Sequence, residues 1–272
     1  MTHKKSADPS GPGTSAVPAP TLNIRKLGIV SRDYNHEFPN GYRDFSYPVL
    51  DILGLLDDRG CDAVLFSLYS IVPRDGYHPL ATLRTKNVRA ILYEQFKDGG
   101  GLSRGAIQYV VAHQTKSGWQ KYTFQQFFGT VTPEVRAAMP TFVQDQLPRR
   151  VIGNSCVLLC GETNGVKYSP KDKKVHDPYR LRASIPSSAG IILNPIHDRM
   201  TRFEMALKRQ FLSRGGRWVV SVWNKGKKDK NGKTKDGIRA PWTVFHDGKP
   251  VVVDRIPNDL NVEIGVLEIP GA

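Results

Sequence analysis

Cys160 is the residue whose type and setting point first to chemistry. It closes the apolar run Val157-Leu158-Leu159 and opens a small polar stretch, Gly161-Glu162-Thr163-Asn164-Gly165. A short apolar run bounded this way reads as a buried strand. Open α/β sheets place their chemistry just beyond the carboxyl ends of such strands. A thiol there is a candidate nucleophile, and its reactive form, the thiolate, needs a nearby cation or dipole. Lys121, in Trp119-Gln120-Lys121-Tyr122, follows a strand and a glycine turn and is the candidate cation. Its ammonium would also stabilise an oxyanion forming on an attacked carbonyl. A carboxylate is needed as well, to move protons. Asn164 and His197 lie in polar clusters at two strand ends and are candidates for contacting substrate. A buried cysteine is more often a small hydrophobe than a catalyst, so its surroundings have to carry the case.

The elements that would position these residues follow from periodicity. Leu22 to Val30 alternates apolar residues and reads as a first strand. Ser46 is placed to cap a helix running to Leu56, with Pro48 in its first turn and Gly60 closing it. Further strands are expected at Asp62 to Leu68, Asn87 to Tyr93, Ala106 to His113 and Trp119 to Phe128. Thr132 to Leu147 has helical composition interrupted by Pro140. Gly190 to Leu193 reads as a strand leading into Asn194-Pro195-Ile196-His197-Asp198. Thr201 and Glu204 form a capping box for the next helix. That helix carries Phe203, Leu207 and Phe211 at i, i+4 spacing, which predicts their stripe as its buried face. Gly215-Gly216 ends it and Trp218 to Trp223 returns as a strand. Asp247-Gly248, between two β-prone runs, predicts a hairpin. Ile256 to Pro270 ends in an expected edge strand. The pattern is α/β, with a mixed sheet or two packed sheets.

Composition sets outer bounds. A chain of 272 residues can bury a full core without disulfides or metals. Residues 1–21 are rich in Ser, Pro, Gly and Ala and read as a disordered tail, leaving 22–272 as the folded domain. No apolar run approaches the ~20 residues of a membrane helix. Lys4-Lys5 are not followed by an apolar core, so no membrane role and a cytoplasmic location are expected. Cys61, Cys156 and Cys160 make an odd count that fits a reducing compartment. Cys156 and Cys160 on one strand would stand roughly 13 Å apart, too far for a disulfide. No second Cys or His pair sits at zinc-ligand spacing, so neither a metal nor a cofactor is expected.

In order and spacing, these motifs resemble the carbon–nitrogen hydrolase (nitrilase) superfamily. The similarity runs from Leu22 almost to the end of the chain. Its carriers are Val64-Leu65-Phe66-Ser67-Leu68, Trp119-Gln120-Lys121, and Val157-Leu158-Leu159-Cys160-Gly161-Glu162. The strand at Ile191 to Pro195, the helix with Lys208-Arg209, the strand Val219 to Asn224 and the hairpin Pro241 to Lys249 complete it. The resemblance implies an α-β-β-α sandwich and a Glu-Lys-Cys triad acting on small amides or nitriles. Cys160 would be the nucleophile and Lys121 the oxyanion partner. It also implies a homodimer through the helix after the cysteine strand, whose exposed face would carry Arg202, Lys208 and Arg209. One departure matters. The family's Glu should stand where Leu68 stands. Glu94 and Glu162 are the candidates to replace it, with Glu134 and Glu37 further alternatives. The chain is then a divergent hydrolase with a relocated carboxylate or a scaffold that binds a ligand or partner without catalysis. A basic nucleic-acid-associated protein is a third reading.

That third reading rests on charge. Lys and Arg number 39 against 25 Asp and Glu, a net +14. Asn224 to Gly237 holds six of the Lys and two Asp, and so supplies +4 by itself. No helix-turn-helix, zinc-finger or RNA-binding signature accompanies it. Weak, non-specific polyanion binding is expected, driven by counterion release. Retention on heparin should therefore fall steeply with salt, and deleting Lys225 to Lys235 should abolish most of it. Salt-insensitive, sequence-selective DNA binding would instead promote the nucleic-acid reading.

Overall fold

The computed structural model describes residues 19–71, 80, 82–95, 108–198, 203–226, 228, 231–232, 234 and 240–270. In chain order the strands are β1 (Lys26–Arg32), β2 (Ala63–Phe66), β3 (Ala90–Gln95), β4 (Gln108–Thr115), β5 (Gly118–Phe124), β6 (Val151–Ile152) and β7 (Ser155–Val157). They continue with β8 (Lys167–Ser169), β9 (Lys174–His176), β10 (Ile191–Asp198), β11 (Trp218–Asn224), β12 (Trp242–His246), β13 (Lys249–Val251) and β14 (Val262–Glu268). The helices are α1 (Val49–Asp58), α2 (Pro133–Thr141), α3 (Leu181–Ser184) and α4 (Phe203–Ser213).

Twelve of these strands form two six-stranded sheets, ordered β14-β1-β2-β3-β4-β5 and β13-β12-β11-β10-β7-β6. In the first, β1, β2 and β3 run parallel. In the second, β7, β10 and β11 do. The alternation of side chains along each strand assigns the layers. Leu27, Ile29, Leu65, Leu92 and Val111 of the first sheet meet Val157, Ile191, Leu193, Val220 and Val244 of the second in one core. Their neighbours Val30, Val64, Phe66, Ile91 and Val110 face the other way, onto Val49, Ile52, Leu53 and Leu56 of α1. Cys156, Ile192, Val219 and Phe245 face Met139, Leu181 and Leu212 from the three later helices. The result is the expected helix-sheet-sheet-helix sandwich. Gly28 makes the first contact close, because a Cβ there would stand 2.7 Å from Leu56 Cδ1.

Polar side chains tie the carboxyl ends of the two sheets together. Ser67, just after β2, donates to Asn224 Oδ1 at 2.6 Å, and Asn224 Nδ2 donates to the Leu68 carbonyl at 2.7 Å. Ser31 donates to the Trp223 carbonyl, and the Leu68 amide to the Ile196 carbonyl. Leu68 is itself fully buried in the inter-sheet core.

Several expectations are corrected. α1 has no side-chain cap, and Pro48 sits at its N-cap. β5 ends at Phe124, and β7 ends at Val157 before Leu158 and Leu159. The buried residues of α4 are Met205, Lys208, Arg209, Leu212 and Ser213, while Phe203 is 71 % exposed. Positions 205, 208, 209 and 212 also satisfy helical spacing. Inside the protein Lys208 meets Asn164, and one nitrogen of Arg209 meets Thr243. Lys208 and Arg209 are thus unavailable as the exposed basic face of a dimer contact. Thr201, Arg202, most of the disordered-tail assignment and half of the lysine-rich loop lie outside the described residues. Among the described residues, no helix is long and apolar enough to cross a membrane.

The seam makes Asn224→Ala costly. It removes two buried hydrogen bonds and strands the Leu68 carbonyl, so a loss of roughly 2–5 kcal/mol is expected in urea unfolding. A loss below about 0.5 kcal/mol would show that the seam does not hold the sheets.

Candidate active site

Cys160 stands at a strained turn. Leu159 is extended (φ −77°, ψ 140°), and Cys160 then adopts φ +30° as it opens the 3-10 turn Cys160–Gly165. A non-glycine residue at positive φ is uncommon and persists only where its surroundings enforce it. Two contacts enforce it here. Gly161 packs directly on Gly129, where a Cβ would fall 1.7 Å from the Gly129 carbonyl oxygen. Glu162 accepts from the Leu159 amide at 2.8 Å and from the Phe127 amide at 2.7 Å. Arg150 closes the set with bonds of 3.0 and 2.9 Å to the two carboxylate oxygens. Burial pushes the Glu162 carboxyl up, against the pull of Arg150 and the two amides. Every acceptor position of Glu162 is engaged in fixing the turn, so this residue is a clamp and not the proton carrier expected from the sequence.

The other candidate carboxylate does reach the thiol's surroundings. Glu94 lies in β3 and is nearly fully buried. Its Oε2 accepts from the Tyr69 amide at 2.6 Å and lies 3.3 Å from His197 Nε2. The latter is a charge contact, not an aligned hydrogen bond. His197 comes from β10, across the inter-sheet core. The Tyr34 hydroxyl holds its carbonyl at 2.8 Å, and the Tyr69 ring lies 4.1 Å from its own. Burial works against the charge of His197. Contacts with the Cys160 thiol and the Glu94 carboxylate outweigh it and push the imidazole up to about 9. Cys160 and Glu94 are thus the two groups that raise His197, and Glu94 stands 3.3 Å from its ring nitrogen. The sequence named all three, but His197 only as a substrate contact.

Lys121 does not join them. It pairs with Ala112 across the β4–β5 hairpin. Ala112 faces the α1 side of the sheet, whereas Cys160 packs against the inter-sheet core. Strand alternation therefore points Lys121 away from the thiol. A buried cation that does feel the charge of Cys160 is Arg209, 3 % exposed. No motif at sequence level marked it. Asn164 is half-buried beside the thiol's turn, accepting from Lys208 Nζ at 2.9 Å. Glu37 pairs with Arg43 at the surface, and Glu134 opens α2. Cys156 and Cys61 are buried, and their thiols are pushed up to about 12 and about 11 by desolvation.

With this geometry in hand, the fold has known counterparts. The chain is similar to a mutant of the Nesterenkonia AN1 amidase from the nitrilase superfamily, with a TM-score of 0.51 and 12% identity over 93% of each chain. A carbon–nitrogen hydrolase from Helicobacter pylori G27 matches with a TM-score of 0.41 and 10% identity, over 90% of this chain and 89% of that one. No family model matches the sequence, and no curated protein does. The likeness is one of fold: the chain is a nitrilase-type α-β-β-α sandwich.

The raised His197 predicts a pH window. A histidine whose folded value, about 9, exceeds its ordinary 6.5 stabilises the fold fully below the lower figure and loses that contribution as pH rises through the upper one. The stability gap between the parent protein and His197→Gln should therefore shrink as pH is raised from about 6.5 to 9. A gap in urea midpoint that stays constant across this window would refute the charged imidazole.

Proposed function

We propose that the protein is a divergent carbon–nitrogen hydrolase that uses Cys160 as nucleophile on a small amide or nitrile. The observation that supports this reading is Cys160 at the strained turn after a buried strand, with His197, which the thiol helps to raise, 3.3 Å from the Glu94 carboxylate. The nitrilase-type fold supports the same reaction class but by itself implies no activity.

In this reading the Cys160 thiolate attacks the amide carbon and the carbon–oxygen π pair moves to oxygen. His197, charged near neutral pH, gives its proton to the departing nitrogen as the carbon–nitrogen bond breaks. Amine or ammonia leaves and a thioester remains. Water then attacks the thioester while the neutral imidazole takes its proton, and the acid departs as the carbon–sulfur bond breaks. Glu94 supports the charge that His197 gains in each half. This division of labour replaces a Glu-Lys-Cys triad, because a lysine on the outer face of β5 cannot serve.

The placement of Lys121 and the apolar Leu68 also favour a second reading, a scaffold without catalysis. Alkylation and turnover separate the two. Under the hydrolase reading iodoacetamide labels Cys160 well ahead of Cys61 and Cys156. Glu94→Gln and His197→Ala each lower amide or nitrile hydrolysis by about 10²–10⁴-fold, and Lys121→Ala lowers it by less than about twofold. If Cys160 is as inert as the two buried thiols and no simple amide or nitrile is turned over, the scaffold reading replaces this one.

A further inference from the structure

Arg209 presents a problem that the hydrolase reading leaves unsolved. Its guanidinium is 3 % exposed. Nη1 donates to Thr243 Oγ1 at 3.2 Å, and the group lies 5.7 Å from the Trp223 ring centroid. Nε and Nη2 are buried and have no partner among the described residues, and neither has the indole Nε1 of Trp223. Burial pulls the guanidinium down to about 10, and only the charge of Cys160 opposes that. An unpaired buried cation is costly. A protein that keeps one, with two adjacent buried donors unfilled and a third on its neighbour, has assembled donors without an acceptor.

The shape of the open edge narrows the ligand. Nε–H and Nη2–H point the same way, in the fork that a carboxylate fills with two parallel hydrogen bonds. Nη1 is anchored on the far side by Thr243, which fixes the plane of the fork. α4, which carries Arg209, packs against the turn that carries Cys160, and the Lys208–Asn164 bond joins the two. We propose that Arg209, with Trp223, is a carboxylate receptor and that the substrate is an amide or nitrile bearing a carboxylate on its acyl or amine side. The substrate assignment rests on the hydrolase reading; the carboxylate receptor does not.

Two experiments keep these apart. The first needs no chemistry at Cys160. In the full chain with Cys160→Ala, glutarate should raise Tm in a saturable way and glutaramide should not. Adding Arg209→Gln should abolish the shift, Arg209→Lys should retain part of it, and Trp223→Phe should weaken it. An equal shift with glutaramide or with sulfate, no shift with glutarate, or a shift that survives Arg209→Gln overturns the proposal. The second uses N-chloroacetyl-β-alanine against its neutral amide. Here the Cys160 sulfur forms a bond to the methylene carbon and chloride leaves. The anionic reagent should react about tenfold faster or more in the parent protein, the ratio expected for a charged hydrogen-bonded contact, and lose that lead in Arg209→Gln. A lead that is absent, or that persists in Arg209→Gln, also overturns the receptor. If neither reagent labels Cys160, the hydrolase reading fails, and the melting experiment still decides the receptor.

Discussion

The buried pair Arg150–Glu162 is the interaction on which the rest of the site depends. Both side chains are almost wholly removed from water. Desolvating two charges costs several kcal/mol each, and only near-ideal geometry with the remaining hydrogen bonds filled repays it. Here they are filled: two bonds to Arg150, two backbone amides to Glu162, and the Gln125 carbonyl to Arg150 at 2.6 Å. The guanidinium also lies 4.5 Å from the Phe124 ring centroid. The pair therefore joins the end of β5, the segment after it and the turn at Cys160. It turns a flexible polar stretch into a rigid one and holds Cys160 at a backbone angle it would not choose alone. The same engagement removes Glu162 from proton transfer. A carboxylate two residues from a thiol reads in sequence as a partner for it, but here it is the thiol's mounting.

The sandwich supplies the other half of the site through topology. β3 delivers Glu94 from one sheet and β10 delivers His197 from the other. The Ser67–Asn224–Leu68 seam fixes how far apart those strand ends stand. Tyr109 shows how tightly Glu94 is enclosed. It is paired with Glu94 across β3 and β4, and its buried hydroxyl has no partner among the described residues. Burial and then the Glu94 charge hold that phenol well above its usual range, so it stays neutral beside the carboxylate.

What the sequence made legible was mostly periodic. Strands that are continuous buried runs, such as β2 and β11, appear at nearly their expected bounds because two opposite cores demand two apolar faces. The thiol was legible from the abrupt end of its apolar run, and Glu94 from its place at the end of a strand. Lys121 was not legible, because a hairpin register decides which face a residue takes and a shift of one residue reverses it. α4 failed for a related reason. Its apolar stripe at 203, 207 and 211 looked like the buried face, yet the helix turns Lys208 and Arg209 inward, where Asn164 and Thr243 meet them. Buried charges contradict composition-based reading wherever a tertiary partner exists, and no local pattern announces the partner.

The charges around the thiol then impose an order on any reaction cycle. Glu94 answers His197. Nothing acidic among the described residues answers Arg209, whose one electrostatic support is Cys160. In the proposed cycle that support disappears as soon as the sulfur is acylated, since a thioester carries no charge. The guanidinium would then be least balanced when water must enter and attack. A carboxylate carried by the acyl group removes this difficulty, because its charge stays in the site from binding until the thioester is hydrolysed. Substrates whose carboxylate lies on the leaving amine lose that balance at the first step. Within the carboxylate-bearing class, the electrostatics of Arg209 therefore favour an anionic acyl group over an anionic leaving group.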